Sequence, residues 1–119
     1  MFQKLFQRPT GPAVAQLSVA ELERRLAAHE SLQLIDVRSA EEYQHDGHIS
    51  GARLIPLPAL AQRLHEIDRT RPVVIICRSG NRSQVASELL LRHGYLDISN
   101  VQGGMIAWRR AGYPARERM

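Results

Sequence analysis

The single cysteine of the chain lies where a strongly apolar segment gives way to a short basic segment. Cys77 follows "VVII" and opens "CRSGNRS", which runs on into "QVASELLLRH". Consecutive β-branched residues without polar alternation are typical of a strand that is buried on both faces of a sheet. The segment that starts at Ser83 has the pattern of a helix. The sequence therefore places Cys77 in a loop at the carboxyl end of a strand, where open α/β sheets bind their ligands.

The residue types of this loop favour an anion-binding site with a thiol at its base. Gly80 can adopt backbone conformations that other residues resist, so that successive N–H groups can point into one concavity. The start of the helix adds unpaired N–H groups, and Arg78 and Arg82 add positive charge. All of these features stabilise a thiolate, so we expect Cys77 to be a nucleophile at neutral pH. We expect six residues to bind the anion: Arg78, Ser79, Gly80, Asn81, Arg82 and Ser83.

A lone cysteine is more often an inert, buried side chain than a reactive one. Here the two arginines, the glycine and the strand–loop–helix context favour the reactive interpretation. Without a second cysteine the chain can form no intrachain disulfide and no dithiol or Cys-x-x-Cys metal site, and a reducing compartment fits best. His45, Asp46 and His48 lie close together in the sequence without a partner cluster, so we expect no metal and a structural role for His48.

Strand and helix patterns alternate at short spacing over the rest of the chain. Capping boxes at Ser18–Glu21 and Ser39–Glu42 predict two helix starts, and Gly94 is a plausible helix C-cap. Short strands are predicted at Leu32–Val37, Ala52–Leu57, Pro72–Ile76 and Asp97–Val101, and further helices at Pro58–Ile67, Ser83–His93 and Met105–Ala111. This alternation indicates an α/β fold with three layers, in which helices cover both faces of a mostly parallel central sheet.

Length and charge limit the possible functions. The chain has 119 residues, the size of one domain, and a formal net charge of +4 that favours anionic partners. Aromatic residues make up only 5% and the basic residues are scattered, which argues against nucleic-acid binding. No apolar stretch is long enough for a membrane helix and no signal-peptide pattern is present, so we expect a cytoplasmic protein without membrane contact. Residues 1–16 are expected to form a loosely ordered arm, and residues 17–119 the folded domain.

Three motifs, in order, resemble the signatures of the single-domain rhodanese family of sulfurtransferases. They are "LIDVRSAEEYQHDGHISGA", "VVIICRSGNRS" and "NVQGGMIAW", and the resemblance extends from about Leu17 to Arg116. It implies a rhodanese-like fold and a transfer of sulfur in two half-reactions. Cys77 would take the sulfane sulfur of thiosulfate or a persulfide, carry it as a persulfide, and pass it to a thiol or cyanide. The resemblance implies no cofactor, and it allows a sulfur-accepting protein as partner.

The resemblance also implies a supporting role for Asp36 and Arg38, which belong to the first motif. Asp36 ends the first buried strand, so we expect it to form hydrogen bonds with the backbone of the cysteine loop or with Arg82. A catalytic acid is the less favoured role for Asp36, since sulfur transfer to a thiolate needs little proton movement. Arg38 is expected to pair with Glu41 or Glu42 on the short second helix.

Several alternatives stay open at this stage. A sulfur carrier or regulatory module that docks on a partner protein would have the same motifs, because fold does not determine function. A cysteine-dependent phosphatase or an arsenate reductase is less favoured. The spacing from Cys77 to Arg82 is one residue shorter than the Cys-x5-Arg loop of such phosphatases, and a resolving cysteine is missing. The natural donor, the acceptor and the oligomeric state do not follow from the sequence.

Overall fold

Strands and helices alternate along the chain in the computed structural model, which describes residues 13–116. The first half contains β1 (Ala15–Leu17), α1 (Val19–Ala27), β2 (Gln33–Asp36), α2 (Ala40–His45), β3 (Arg53–Leu54) and α3 (Leu57–Leu60). A 3-10 turn follows at Leu64–Glu66. The second half contains β4 (Val73–Ile76), α4 (Asn81–Arg92), β5 (Ile98–Val101) and α5 (Gly104–Arg110).

The five strands form one parallel sheet in the order β1-β5-β4-β2-β3. Strand β4 occupies the centre, where Ile76 pairs with Asp36 of β2 and Ile75 pairs with Asn100 of β5. All three strands end at the same edge of the sheet because they are parallel. The residue that follows β4 is Cys77, so the register brings the ends of β2 and β5 beside the cysteine loop.

Two apolar cores lie on opposite faces of this sheet, because side chains alternate along each strand. Helices α3 and α4 cover one face and contribute Leu60, Ala86 and Leu90 to its core. Helices α1 and α5 cover the other face with Leu22, Met105 and Trp108. The predicted three-layer α/β fold with a parallel sheet is therefore confirmed.

The helix starts are of two kinds. Both predicted capping boxes are present, since Ser18 and Ser39 each accept from the backbone N–H three residues later and the glutamate there closes the box. Helices α4 and α5 begin instead after Gly80 and Gly103, which are left-handed and provide no side-chain cap. Because Gly80 can turn the chain so sharply, α4 begins at Asn81, two residues before the predicted start.

The helix predicted over Pro58–Ile67 is wrong in its length: it is divided into the short α3 and the 3-10 turn. A continuous α-helix would need the N–H of Arg63 to bond the carbonyl of Ala59. That N–H donates instead to the Leu60 carbonyl, three residues back, at 2.9 Å, and the N–H of Ile67 donates to that of Leu64 at 3.0 Å. Long-range partners hold the end of this segment, since the Asp68 N–H donates to Oε1 of Gln33 and the Tyr95 hydroxyl binds the Leu64 and Ile67 carbonyls.

The boundary predicted for the N-terminal arm is also corrected in its last residues. Ala15 and Gln16 were assigned to a loose arm, but they pair with Ser99 and Asn100 as the edge strand β1. The pairing satisfies backbone groups of β5 that would otherwise face solvent. Residues 1–12 lie outside the described part of the chain. Among the described helices, none is long and apolar enough to span a membrane.

Candidate active site

Cys77 lies directly at the carboxyl end of the central strand, as the sequence predicts. Its side chain is only 1% exposed, and the chain turns through Gly80 immediately into α4. Strand β4 is apolar on both faces, so packing from the two cores holds it firmly. Cys77 is thus held rigidly at the end of β4, and the loop positions the residues that follow around its sulfur.

Backbone N–H groups of the loop converge on the sulfur. The N–H of Gly80 lies 3.1 Å from Sγ and that of Ser83 lies 3.3 Å from it, while the Ser83 hydroxyl is 3.2 Å away. This arrangement depends on Gly80, whose φ of 107° is a conformation that L side chains rarely adopt. The sulfur therefore lies within a cradle of donors at the start of a twelve-residue helix.

These donors oppose the effect of burial on the thiol. Burial raises the pKa of Cys77, because a charged sulfur loses contact with water. Hydrogen bonds to the sulfur, among them those from the N–H groups of Ser83, Gly80 and Ser79, favour the thiolate and outweigh it. The net result is a pKa below the ordinary value of a cysteine, which is a property of reactive thiols rather than inert ones.

Two further N–H groups at the start of α4 remain available to a ligand. Within residues 13–116, the backbone N–H groups of Asn81 and Arg82 donate to no protein acceptor. The first bond of the helix proper runs from Gln84 N–H to the Gly80 carbonyl. Unpaired donors at a helix start attract anions. The predicted anion cradle therefore has free donors next to the cysteine sulfur.

The two arginines of the loop differ in their surroundings. Arg78 is exposed, and its side chain forms no ion pair in the described part of the chain. Arg82 donates to both oxygens of Glu42 at 2.7 and 2.8 Å. These hydrogen bonds lower the pKa of Glu42 from 4.5 to about 2 and raise that of Arg82. The charge of Arg82 is therefore compensated, whereas that of Arg78 is not.

The partners predicted for Asp36 and Arg38 are wrong. Asp36 was expected to bond the loop or Arg82, and Arg38 to pair with a glutamate of α2. They bind each other instead: Nε and NH2 of Arg38 donate to the carboxylate of Asp36 at 2.9 and 2.8 Å. Both side chains are almost fully buried, and Arg38 also donates to the carbonyl of Gly47. Two residues apart at the end of β2, they face the same side of the sheet and pair locally.

Gly104 is a residue of the site that the sequence analysis did not assign to it. Gly103 and Gly104 both have positive φ values, 76° and 54°. The structure adds that a side chain at Gly104 would collide with the carbonyls of Cys77 and Arg78. Helix α5 thus approaches the backbone of the cysteine loop directly. The paired glycines after β5 were the only sequence signal for this contact.

Asn100 is a second unassigned residue of the site. It lies in β5, is 4% exposed, and its Oδ1 accepts a hydrogen bond of 2.5 Å from the Ser83 hydroxyl. A signal was present in the sequence, because the polar residues Ser99 and Asn100 lie in the middle of a predicted core strand. Buried polar side chains need partners, and here the partner touches the cysteine sulfur.

His48 and Trp108 take part in packing. His48 approaches the Tyr43 carbonyl through Nδ1 at 2.7 Å and its ring stacks on Tyr43, as the predicted structural role requires. Trp108, on α5, lies in the core and donates from Nε1 to the Pro114 carbonyl. Within residues 13–116, histidine, cysteine and acidic side chains form no group of three or more that could hold a metal.

The fold and the site together define a class of protein: an α/β domain with a cysteine loop after its central parallel strand. Comparison with known proteins identifies the family. The model of the rhodanese-like domain matches residues 18–111. The chain therefore belongs to the rhodanese-like domain family, as its three motifs predict.

Relatives of this chain include proteins that handle sulfur. A sulfurtransferase from Allochromatium vinosum is 40% identical over 101 residues, which cover 85% of this chain and 94% of the relative. A thiosulfate sulfurtransferase from Shewanella oneidensis is 35% identical, with 80% of this chain and 92% of the relative covered. A putative sulfur carrier protein from Bacillus subtilis is 33% identical; the match covers 81% of this chain but 51% of that relative.

Proposed function

We propose that this protein is a sulfurtransferase that carries a sulfane sulfur as a persulfide on Cys77, with thiosulfate or a persulfide as donor. The observation that carries the proposal is the ring of donors around the sulfur. Two N–H groups already bond Sγ, and those of Asn81 and Arg82 beside it have no acceptor within residues 13–116. A persulfide places its negative charge one sulfur further out, where such free donors can hold it.

The first half-reaction needs only the thiolate and the donors of the loop. Sγ of Cys77 attacks the outer sulfur of thiosulfate, the sulfur–sulfur bond of thiosulfate breaks, and sulfite leaves with the electron pair. Three negative charges enter the step, and three leave it as a persulfide anion and a sulfite dianion. No proton moves, which agrees with an Asp36 that is held by Arg38 rather than free to act as an acid.

The second half-reaction returns the cysteine to its starting state. An acceptor such as cyanide or a thiolate attacks the terminal sulfur, and Cys77 leaves as a thiolate that the same N–H groups stabilise. Arg78, exposed and without an ion pair in the described residues, would attract the anionic donor. Arg82 would contribute its backbone N–H, since Glu42 holds its guanidinium. This compensated arginine also fits a sulfur site better than a phosphate site, where the guanidinium would bind the ligand.

Intact-protein mass spectrometry after incubation with thiosulfate tests the proposal. We expect the full chain to gain the mass of one sulfur atom, and to lose it again on addition of cyanide with formation of thiocyanate. Cys77→Ser should remain folded and gain nothing, because the chain has no other cysteine. A sulfur atom retained by the Cys77→Ser protein, or none gained by the wild type with either thiosulfate or a low-molecular-weight persulfide, would contradict the proposal.

A second candidate, a sulfur carrier for a partner protein, is favoured by the similarity to a putative sulfur carrier. Steady-state kinetics separate the two. An enzyme for thiosulfate should show ping-pong kinetics that saturate at modest donor concentrations. A carrier should form the persulfide but turn over free donor and acceptor slowly, without saturation in the same range.

A further inference from the structure

A chain of side-chain hydrogen bonds leads from the cysteine sulfur to the surface. The Ser83 hydroxyl, next to Sγ, donates to Oδ1 of Asn100 at 2.5 Å. Nδ2 of Asn100 donates to Gln16 in β1 at 3.0 Å, and Gln16 donates to Gln84 at 2.9 Å. The chain ends where Gln84 donates to the carboxylate of Glu88 at 2.9 Å. Three elements of the fold, α4, β5 and β1, are thereby connected to one side of the sulfur.

The direction of this chain is set at two points by groups that can only accept. The Glu88 carboxylate accepts from Gln84, so Gln84 must turn its NH2 group outward and its oxygen toward Gln16. By the same rule, Gln16 turns its NH2 group toward Gln84 and its oxygen toward Asn100, and Asn100 turns its NH2 group toward Gln16. Independently, Nδ2 of Asn100 lies 3.4 Å from the carbonyl of Gly80, which also only accepts. Both ends require the amide oxygen of Asn100 to face Ser83.

Ser83 has one hydroxyl proton and two neighbours that could take it. An amide oxygen cannot donate, so the bond between Ser83 and Asn100 requires the proton of Ser83. The Ser83 oxygen then faces Sγ as an acceptor, and the protonated thiol of Cys77 can donate to it. When the thiol ionises, the hydroxyl can turn to the sulfur only by leaving the buried oxygen of Asn100 without a donor.

We propose that Asn100 is a positioning residue that holds the hydroxyl proton of Ser83 away from Cys77, so that backbone N–H groups alone hold the thiolate. The proposal rests on the sulfur transfer proposed above for its functional meaning, although its test does not. In the thiolate the charge lies on Sγ, and it moves to the terminal sulfur when the persulfide forms. A hydroxyl bond to Sγ would therefore stabilise the starting state more than the transition state and slow the attack.

The charged groups around Cys77 stay the same when Asn100 is substituted, so they do not account for the expected change in thiol ionisation. From α2 and α4, Glu42 and Arg82 face the loop as a compensated pair. From β2, Asp36 and Arg38 form the buried pair described above. Arg78 is the uncompensated cation of the loop itself, and β5 presents the uncharged Asn100. The N-terminal residues of α5 that touch the loop, Gly104 to Ile106, carry no charge either. A substitution of Asn100 by an apolar residue changes none of these charges.

The pH dependence of alkylation measures the effect directly. Iodoacetamide reacts with thiolates, and Cys77 is the only thiol of the full chain. Asn100→Leu removes the competing acceptor and frees the Ser83 hydroxyl to bond the thiolate. We expect the midpoint of the alkylation profile to move down by about one pH unit, the size of one hydrogen bond to a charged group. If Asn100→Leu does not fold, Asn100→Ala removes the same oxygen.

A double-mutant cycle shows whether Asn100 acts through Ser83. In a Ser83→Ala background no hydroxyl remains, so adding Asn100→Leu should leave the midpoint unchanged within about 0.3 pH units. Ser99→Ala is the matched control, since Ser99 precedes Asn100 in β5 and points to the opposite face of the sheet. It should keep the wild-type midpoint. A simple loosening of the site would shift the midpoint in both backgrounds.

The wild-type protein offers a measurement that requires no Asn100 variant. If the thiol donates to Ser83, the infrared S–H stretching band of Cys77 should lie at lower frequency in the wild type than in Ser83→Ala. An unshifted band overturns the proposal, as does an Asn100→Leu midpoint that is unchanged or raised. Alkylation needs no sulfur donor, so these results are obtained equally from a protein that fails to take sulfur from thiosulfate.

Discussion

Helices α4 and α5 begin in the same way, but the backbone N–H groups of their first turns have different acceptors. Each follows a strand of the central sheet, and each starts after a left-handed glycine without a side-chain cap. In α5, the N–H groups of Met105 and Ile106 donate to the carbonyls of Cys77 and Arg78 at 2.9 and 3.0 Å. In α4 the corresponding groups point at the sulfur or have no protein acceptor among the described residues.

The difference shows how one local structure can serve two purposes. A helix start has unpaired N–H groups that need acceptors. The N–H groups at the start of α5 donate to carbonyls on the back of the cysteine loop and hold these carbonyls in place. Helix α4 can then present its own donors to a ligand in front, because the loop that connects it to β4 is already fixed. We infer that α5 supports the loop and α4 binds the anion, and three substitutions test this division.

The largest effect is expected from Gly104→Ala. A Cβ at this position would lie about 2.6 Å from the Arg78 carbonyl group, and the backbone there cannot yield because both sides are main chain. We expect a loss of about 3 kcal/mol in the free energy of unfolding, from overpacking together with strain at a φ of 54°. Chemical denaturation measures the loss, and alkylation of Cys77 should slow at least about tenfold as the N–H groups move.

Gly112→Ala serves as the control for strain alone. Gly112 has a φ of 83°, but a Cβ there would meet nothing within 4 Å. It should cost about 1 kcal/mol in stability and leave the alkylation rate unchanged. Equal losses in the two variants would mean that α5 does not press on the loop, and the supporting role assigned to it would be wrong.

A smaller loss of stability with a selective loss of function is expected from Gly80→Ala. A Cβ here would be 3.5 Å from its nearest neighbour, so only the φ of 107° opposes it. We expect a cost of about 1–2 kcal/mol and a fall in sulfur uptake of about tenfold, since the N–H of Gly80 would no longer point at the sulfur. Uptake is followed by mass spectrometry in a variant shown to be folded. A wild-type rate in that variant would remove Gly80 from the anion cradle.

The smallest effect is expected from Glu42→Gln, which acts on the binding helix alone. The pair with Arg82 is partly exposed, so its loss should lower stability by only about 0.5 kcal/mol at neutral pH. The folded-state pKa of Glu42 is about 2, below its ordinary 4.5. The stabilisation is therefore complete above pH 4.5 and is lost as the pH falls toward 2.

Denaturation curves of the wild type and of Glu42→Gln between pH 7 and pH 3 test the direction of this pH dependence. The difference between wild type and Glu42→Gln should shrink as the pH falls, because below pH 4.5 the unfolded chain takes up a proton at Glu42 that the folded protein does not. The variant also leaves Arg82 uncompensated beside the α4 donors, so its affinity for an anionic donor should rise about two- to threefold at low salt. A difference in stability that grows on acidification would exclude this pair as its source.

Local patterns in the sequence predicted most elements of the fold correctly. The capping boxes at Ser18 and Ser39 begin helices as predicted, because a cap depends on residues three positions apart. The strand before Cys77 was predicted from its own composition. The helix over Pro58–Ile67 was not predicted correctly in its length, and Gln33 and Tyr95, distant in sequence, bind the backbone where this segment ends. Errors of this kind arise where a residue far along the chain offers a better partner.

The same distinction between local and long-range contacts applies to the candidate active site. The sequence by itself determined that Cys77 follows a buried strand, that Gly80 can turn the loop, and that a helix start lies beside the sulfur, because these are relations between neighbours. Only the tertiary structure decided that Glu42 compensates the charge of Arg82, from a helix 40 residues away. It also brought Gly104 behind the loop and Asn100 beside Ser83. Such contacts depend on the parallel register of β2, β4 and β5, which local sequence does not encode.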